Sequence, residues 1–287
     1  MQRDLLERIK SEMPSMSKGH KIIAAYILEH CDKAAYFTAT KLGQKTGVSE
    51  STVVRFALEL GFKGYPDFQS NLQVSIKSKL TSVQRIAVAD DMIGDGDVFR
   101  SVLESDQDNI KLTLETLDRA CFDKAVELIA GAKEIYIIGV RSSSMLASFL
   151  YYYLDLIFSN VHLIQTTSTS EMFERVRRVS QGDVMIGITF PRYSQRAKNA
   201  VEFAKNRGAS IIAITDGETS PISYLSDSAL YAKSDMASFV DSLVAPLSVI
   251  NALIVAVGRK KKNSLDTTFR ELENIWEEYN VYEKPNS

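Results

Sequence analysis

The sequence predicts an all-α segment followed by an α/β unit, with helices on both faces of a five-stranded parallel sheet in a three-layer αβα arrangement. Three observations carry this. The first 77 residues break into short helical stretches punctuated by Gly43, Gly47, Gly61, Gly64 and Pro66. From residue 134 onward, short apolar runs alternate with stretches of helical period. Charge divides in the same place. Residues 1–80 hold 12 Lys/Arg against 8 Asp/Glu and the remainder 22 against 28, so a basic start precedes an acidic body within a net charge of −2. A mildly basic first segment permits nucleic-acid binding at one end.

The elements follow in order. Residues 78–96, ending in Ala89-Asp-Asp-Met-Ile-Gly-Asp-Gly96 before Asp97, are polar and turn-rich and read as linker. A helix from Asp97 to Leu117 carries Val98, Val102, Ile110, Leu114 and Leu117 at helical spacing. A second spans Phe122 to Ala130, closed by Gly131. Strands are expected at 134–140, 161–164, 183–190, 209–215 and 229–232. The helices between them are expected at 144–158, 170–179 and 194–207. Two closing helices, 241–257 and 264–279, complete the chain. The domains are expected at 1–77, with a linker and connecting helix over 78–120 and the α/β unit over 121–287. No internal repeat or low-complexity segment interrupts them.

With 287 residues, 45% apolar and 24% charged, the chain has enough apolar material for a sizeable core. No run of about 18 apolar residues lacks a charge, so no spanning helix is expected. The start, MQRDLLERIK, has no signal-peptide core, which predicts a cytoplasmic protein. Cys31 and Cys121 lie far apart and read as reduced thiols. His20, His30 and His162 do not cluster with Cys or carboxylates, so neither a metal site nor a cofactor is expected.

The stretch Thr40-Lys-Leu-Gly-Gln-Lys-Thr-Gly-Val-Ser-Glu-Ser-Thr-Val-Val-Arg-Phe56 reads as a helix-turn-helix. Thr40 is expected to cap the first helix, and Gly47 to end it in the left-handed conformation. Val48 fills the turn and Ser49 caps the second helix. Val53, Phe56, Ala57 and Leu60 make one buried face. Ser51, Thr52 and Arg55 then fall on or beside the wet face of the amino-terminal half, the part of a recognition helix that meets base edges. Ser49, Ser51, Thr52, Arg55 and Lys63 are the expected DNA-binding residues. For Arg55 the alternatives are guanine, a phosphate, or Glu59 one turn later; for Lys63, a phosphate or solvent. A generic capped hairpin is the bland alternative. The basic run Arg259-Lys-Lys-Lys reads as a solvated helix end or a further DNA contact.

Two loops of the second half carry hydroxyls. Gly139-Val-Arg-Ser-Ser-Ser144 follows the first strand and opens a helix, where hydroxyls and amides can hold an anion. Thr189-Phe-Pro-Arg-Tyr-Ser194 is the matching turn two strands later, so both belong to one carboxyl edge. Gln165-Thr-Thr-Ser-Thr-Ser170 is a third, which either completes a pocket or caps the following helix.

The pattern Gly47-Val-Ser-Glu-Ser-Thr-Val-Val-Arg-Phe56 with Leu60-Gly-Phe-Lys-Gly-Tyr-Pro-Asp-Phe68 resembles the RpiR family of bacterial transcription regulators. The second half resembles their sugar isomerase (SIS) domain. The resemblance implies a protein that binds double-stranded operator DNA and senses a small anionic effector, a sugar phosphate or related metabolite. It also implies a homodimer or tetramer. Ser142 and Ser143 match the phosphate-binding hydroxyls of the first SIS loop, and Thr189 and Ser194 the outer hydroxyls of the second. Arg141 and Arg192 stand where glycines are usual, and Pro191 replaces a serine. Arg141, Ser142, Ser143, Thr167, Ser168, Thr189, Arg192 and Ser194 are thus the expected ligand-binding residues. The two arginines suggest fixed charge in place of lost donors, favouring an anion; the alternative for Arg192 is a subunit contact.

The edge loops hold no His and no paired carboxylates, and Glu171 and Glu218 are explained by surface positions. The general acid or base that isomerase chemistry requires is therefore missing from them. A regulator is expected rather than a sugar-phosphate isomerase, or a DNA-binding protein whose SIS domain serves only in oligomerisation.

Overall fold

The computed structural model describes residues 5–77, 80–93, 96–236 and 238–283. Two units divide it, one made of Met1–Val102 with Met236–Asp241, the other of Leu103–Asp235 with Ser242–Ser287. The chain passes from one to the other inside a single helix, Val98–Thr116. Each unit has its own apolar core.

In the first unit the helices α1 (Leu5–Glu12), α2 (Lys18–Glu29), α3 (Cys31–Ala34), α4 (Ala39–Thr46), α5 (Glu50–Glu59) and α6 (Tyr65–Lys77) enclose one cluster. Hydroxyl side chains start three of them. Ser17, Thr38 and Ser49 each accept a hydrogen bond from an amide in the first turn. Pro66 lies in the first turn of α6, where its missing N–H is no loss. Phe56 and Phe68 meet edge to face at 5.6 Å in the middle of the cluster, both fully buried.

The segment that reads as linker contains a further helix, α7 (Ser82–Ile93). Arg85, Val88 and Ala89 bury on one face of it. The first of these positions is a charge, so the face does not register as apolar in sequence. Its partner comes from far along the chain: Arg85 donates to the carboxylate of Asp241 at 2.6 Å. Asp241 lies after the last strand rather than in the helix expected there, and its neighbour Met236 packs on the first unit's core.

The second unit begins within α8 (Val98–Thr116) and continues through α9 (Arg119–Gly131). Five strands follow: β1 (Ile135–Gly139), β2 (Val161–Ile164), β3 (Val184–Ile188), β4 (Ser210–Thr215) and β5 (Ser228–Tyr231). They pair in the order β2-β1-β3-β4-β5, every pair parallel. The central strands β1 and β3 are buried at every residue, as a parallel sheet covered on both faces requires, whereas the edge strands β2 and β5 are buried only in part.

Side-chain alternation feeds two cores. Ile135, Ile137, Ile186, Ile188, Ile212 and Ile214 face α9, α10 (Ser143–Asp155) and α13 (Val244–Lys260). Tyr136, Ile138, Met185, Ile211 and Ala213 face α11 (Thr169–Val176) and α12 (Gln195–Asn206). The three layers match the expected architecture. The last helix, α14, spans Lys262–Glu278. Two glycines let helices close on the sheet. A Cβ on Gly139 would meet the carbonyl oxygen of Ser143 at 2.3 Å, and one on Gly187 would meet Val201 at 2.6 Å.

Candidate functional site

The first surface is the α4–α5 hairpin. Gly47 ends α4 with φ of 69°, the left-handed conformation that glycine adopts without strain. Thr38, not Thr40, caps α4, its oxygen accepting from the Lys41 amide at 3.2 Å. Thr40 lies inside the helix and donates to Glu50 across the turn at 2.8 Å, tying the two helices together. Gly43 is where they touch. A Cβ there would come within 2.8 Å of the Val48 carbonyl oxygen, so even alanine would push the hairpin open.

Ser49 caps α5, accepting from the Thr52 amide, and its hydroxyl also contacts those of Ser51 at 2.9 Å and Thr52 at 2.8 Å. Val53, Phe56, Ala57 and Leu60 are buried to within 1% of full burial. That inward face leaves Ser49, Ser51 and Arg55 exposed, with Thr52 half-buried. Arg55 Nε reaches only the Ser51 carbonyl, at 3.4 Å. Glu59 points elsewhere, its carboxylate 2.8 Å from His20 Nδ1, so the helix-internal alternative for Arg55 does not occur. Lys63 is exposed, and its amide donates to Asp67.

The second surface is the carboxyl edge of the sheet. The chain leaves β1 toward β2 on one side, while β3 lies on the other, so the strand order reverses between β1 and β3. A crevice outside the strand ends at such a point is where open α/β sheets bind ligands. The loops that flank it are those carrying Arg141 and Arg192. Both residues have left-handed backbones, with φ of 60° and 64°. Among the described residues only one other non-glycine, Asn280, has positive φ. For an L-residue this conformation costs about 1–2 kcal/mol. Both arginines are exposed.

The other residues of these loops divide by burial. Ser142 is exposed at the start of α10, while Ser143 is buried in the helix's first turn. The Ser144 hydroxyl donates to the Arg141 carbonyl at 2.6 Å and pins the left-handed turn. Thr189 is buried. Its hydroxyl accepts from the Ser194 amide, and its carbonyl from the Thr215 hydroxyl at 2.7 Å. Ser194 caps α12. Thr189, Ser143 and Ser194 therefore shape the loops, and the exposed groups are Arg141, Ser142 and Arg192.

Tyr193 explains the odd composition of the second loop. Its hydroxyl donates to Asp216, just past β4, at 3.0 Å. Burial, with the Asp216 charge added, pushes the phenol far above its ordinary range, so it stays a neutral donor. Pro191 is buried beside it. The Pro-Arg-Tyr run thus anchors the loop at both sides and leaves Arg192 at the surface between them. Asp216 was not singled out from the sequence; its position directly after a strand, before Gly217, was the available signal.

The third loop resolves to a helix cap. Ser168 accepts from the Glu171 amide at the start of α11, and Thr167 is exposed. The Thr166 hydroxyl and Arg175 hold the Glu171 carboxyl below the usual carboxylate range. Arg196, on α12, donates to the Thr166 carbonyl at 2.8 Å and links this loop to the one after β3. In the basic run, Lys260 pairs with Glu127 and Lys261 lies over the Phe158 ring.

Among the described residues no helix is long and apolar enough to cross a membrane, and no group of three or more His, Cys, Asp or Glu is arranged to hold a metal ion.

Family models match both halves of the chain. The helix-turn-helix domain of the rpiR family matches residues 3–79, and the SIS domain matches residues 128–256. HTH-type transcriptional regulator TTE0211 of Caldanaerobacter subterraneus subsp. tengcongensis, itself uncharacterized, is 27% identical over 281 residues, 96% of each chain. HTH-type transcriptional regulator HexR of Escherichia coli strain K12 is 28% identical over 226 residues, 75% of this chain and 73% of HexR. The Vibrio vulnificus NanR protein, solved in complex with ManNAc-6P, superposes with a TM-score of 0.57 at 27% identity, covering 94% of this chain and 98% of NanR.

A capped recognition hairpin joined to a SIS sheet defines a DNA-binding transcription regulator rather than an enzyme, and the full-length relatives carry that name. The chain carries a helix-turn-helix domain of the rpiR family over residues 3–79, followed by a SIS domain over residues 128–256.

Proposed function

We propose that this regulator controls genes of carbohydrate metabolism, binding operator DNA through α5 and a sugar phosphate or related anionic metabolite in the crevice between β1 and β3. Effector occupancy changes operator affinity. The protein acts in the cytoplasm as a homodimer or tetramer, because paired recognition helices must match half-sites about one DNA turn apart. The domains run as 1–77 for DNA, 78–120 for linker and connecting helix, and 121–287 for sensing.

The observation that carries the effector assignment is the pair of left-handed arginines at the strand-order reversal. Backbone strain of this kind is retained where function needs the side chain. Arg141 and Arg192 bring fixed positive charge to a crevice that opens beside the α10 N-terminus, itself favourable to anions. Ser142 and Thr167 offer hydroxyls nearby, and Ser143, Ser168, Thr189 and Ser194 hold the loops. On the DNA side, Ser49, Ser51, Thr52 and Arg55 meet base edges and backbone, with Lys63 on a phosphate. The sugar phosphate of the Vibrio complex supports the ligand class.

The test is a thermal-shift screen against sugar phosphates and sugar acids, followed by operator gel shifts with each ligand that binds. At least one anionic ligand is expected to raise the melting temperature by several degrees and to change operator affinity about tenfold or more. A chain that binds DNA with an affinity no such ligand alters overturns the sensor reading.

A further inference from the structure

We propose that α14 is a dimer element that pairs antiparallel with α14 of a second copy of this chain. The inference concerns the homo-oligomer of the proposed function and rests on that part of it alone. Effector and operator enter neither the argument nor the test.

The first observation is burial. α14 is 17 residues long and not one of them is buried. Such a helix is marginal on its own in water. Yet its apolar residues are ordered. Leu265, Phe269, Leu272, Trp276 and Tyr279 recur at alternating steps of four and three, the seam of a two-stranded coiled coil. Phe269 remains 36% exposed, Ile275 42% and Tyr279 71%. A groove of about 380 Å³ runs along the same side, walled by Tyr153, Ile254, Val255, Leu265 and Phe269. Val255, on its floor, is itself 62% exposed.

The second observation is charge, and it selects the occupant. The amino-terminal end of α14 is basic, with Lys262 exposed beside the groove and Arg259, in the last turn of α13, exposed next to it. The carboxyl-terminal end is acidic, with Glu273, Glu277 and Glu278 exposed. There is no acid in the first turn and no base in the last. This is the reverse of what the helix dipole favours, so the isolated helix opposes its own charge pattern. A second α14 running antiparallel removes the conflict, because each basic end then lies against the partner's acidic end. A parallel pair would put like charges together. The antiparallel arrangement is compatible with a two-fold axis perpendicular to the helices, as an isologous dimer allows.

Sedimentation velocity of the full chain tests this, with Phe269→Glu, Lys262→Glu, Glu278→Lys and the double charge swap. The wild type is expected to sediment as a dimer of 32.0 kDa chains, or as a tetramer that Phe269→Glu reduces. Phe269→Glu should weaken association about 100-fold or more, since it places a charge in the seam. Its far-UV circular dichroism should match wild type because Phe269 supports no core. Each single reversal breaks two symmetric pairs and should weaken association about tenfold. The double swap should restore it to within about threefold. A monomeric wild type overturns the proposal, as does an oligomer that neither Phe269→Glu nor the reversals weaken. Should Phe269→Glu lose helical signal, the charge series decides, and failure of the double swap to rescue then overturns it.

Discussion

Arg141 and Arg192 illustrate how a single backbone angle separates structural from functional need. Glycine would take φ near +60° without strain, so an arginine at each position lowers stability unless its side chain returns something. Replacing either with glycine should therefore stabilise the free protein by up to about 1 kcal/mol, after allowing for glycine's greater freedom when unfolded. Urea unfolding would read this, and the same variants should bind an anionic effector about tenfold more weakly. If stability falls instead, the arginines are structural. Arg55 makes the opposite case. It is exposed and touches only the Ser51 carbonyl. Arg55→Ala should leave melting temperature and sedimentation unchanged and weaken operator binding about tenfold or more, as a gel-shift titration would show.

At the scale of elements, a two-residue offset in capping matters. Thr38 satisfies an amide at the start of α4, while Thr40 links α4 to Glu50 at the surface. Thr38→Ala should cost about 1 kcal/mol in chemical unfolding, and Thr40→Ala less than half of that. Equal losses would mean that the exposed Thr40–Glu50 link is worth as much as the cap. The helix starts were legible from hydroxyls before apolar periods, as at Ser49 and Ser194. They were least legible where two threonines lie two residues apart. The strands were readable because a doubly covered parallel sheet leaves continuous apolar runs, as in Ile135–Gly139. α7 was not, because a buried arginine occupies the lead position of its inward face.

For the whole molecule, the notable contact joins residues 156 positions apart. Arg85, 3% exposed, is matched by Asp241, whose side chain is 16% exposed. Removing Asp241 takes away the carboxylate to which buried Arg85 donates at 2.6 Å. Asp241→Ala should destabilise the first unit by about 3 kcal/mol, with a two-step urea transition followed by circular dichroism as the check. A loss under about 1 kcal/mol would show that water readily replaces the carboxylate.

The sequence by itself determined the helix-turn-helix with its buried face, and the order of the five strands with the helices between them. These follow from local periods, caps and turns. It also marked the two arginine loops by their departure from glycine. Only the tertiary structure decided what those loops do with their residues. It turned Thr189 inward to hold its own loop, tied Tyr193 to Asp216, and held both arginines left-handed at the edge where the strand order reverses. Hydroxyls and charges look alike in a one-dimensional pattern. Which of them are used up internally depends on neighbours brought in from other strands, and that is settled only when the sheet is assembled.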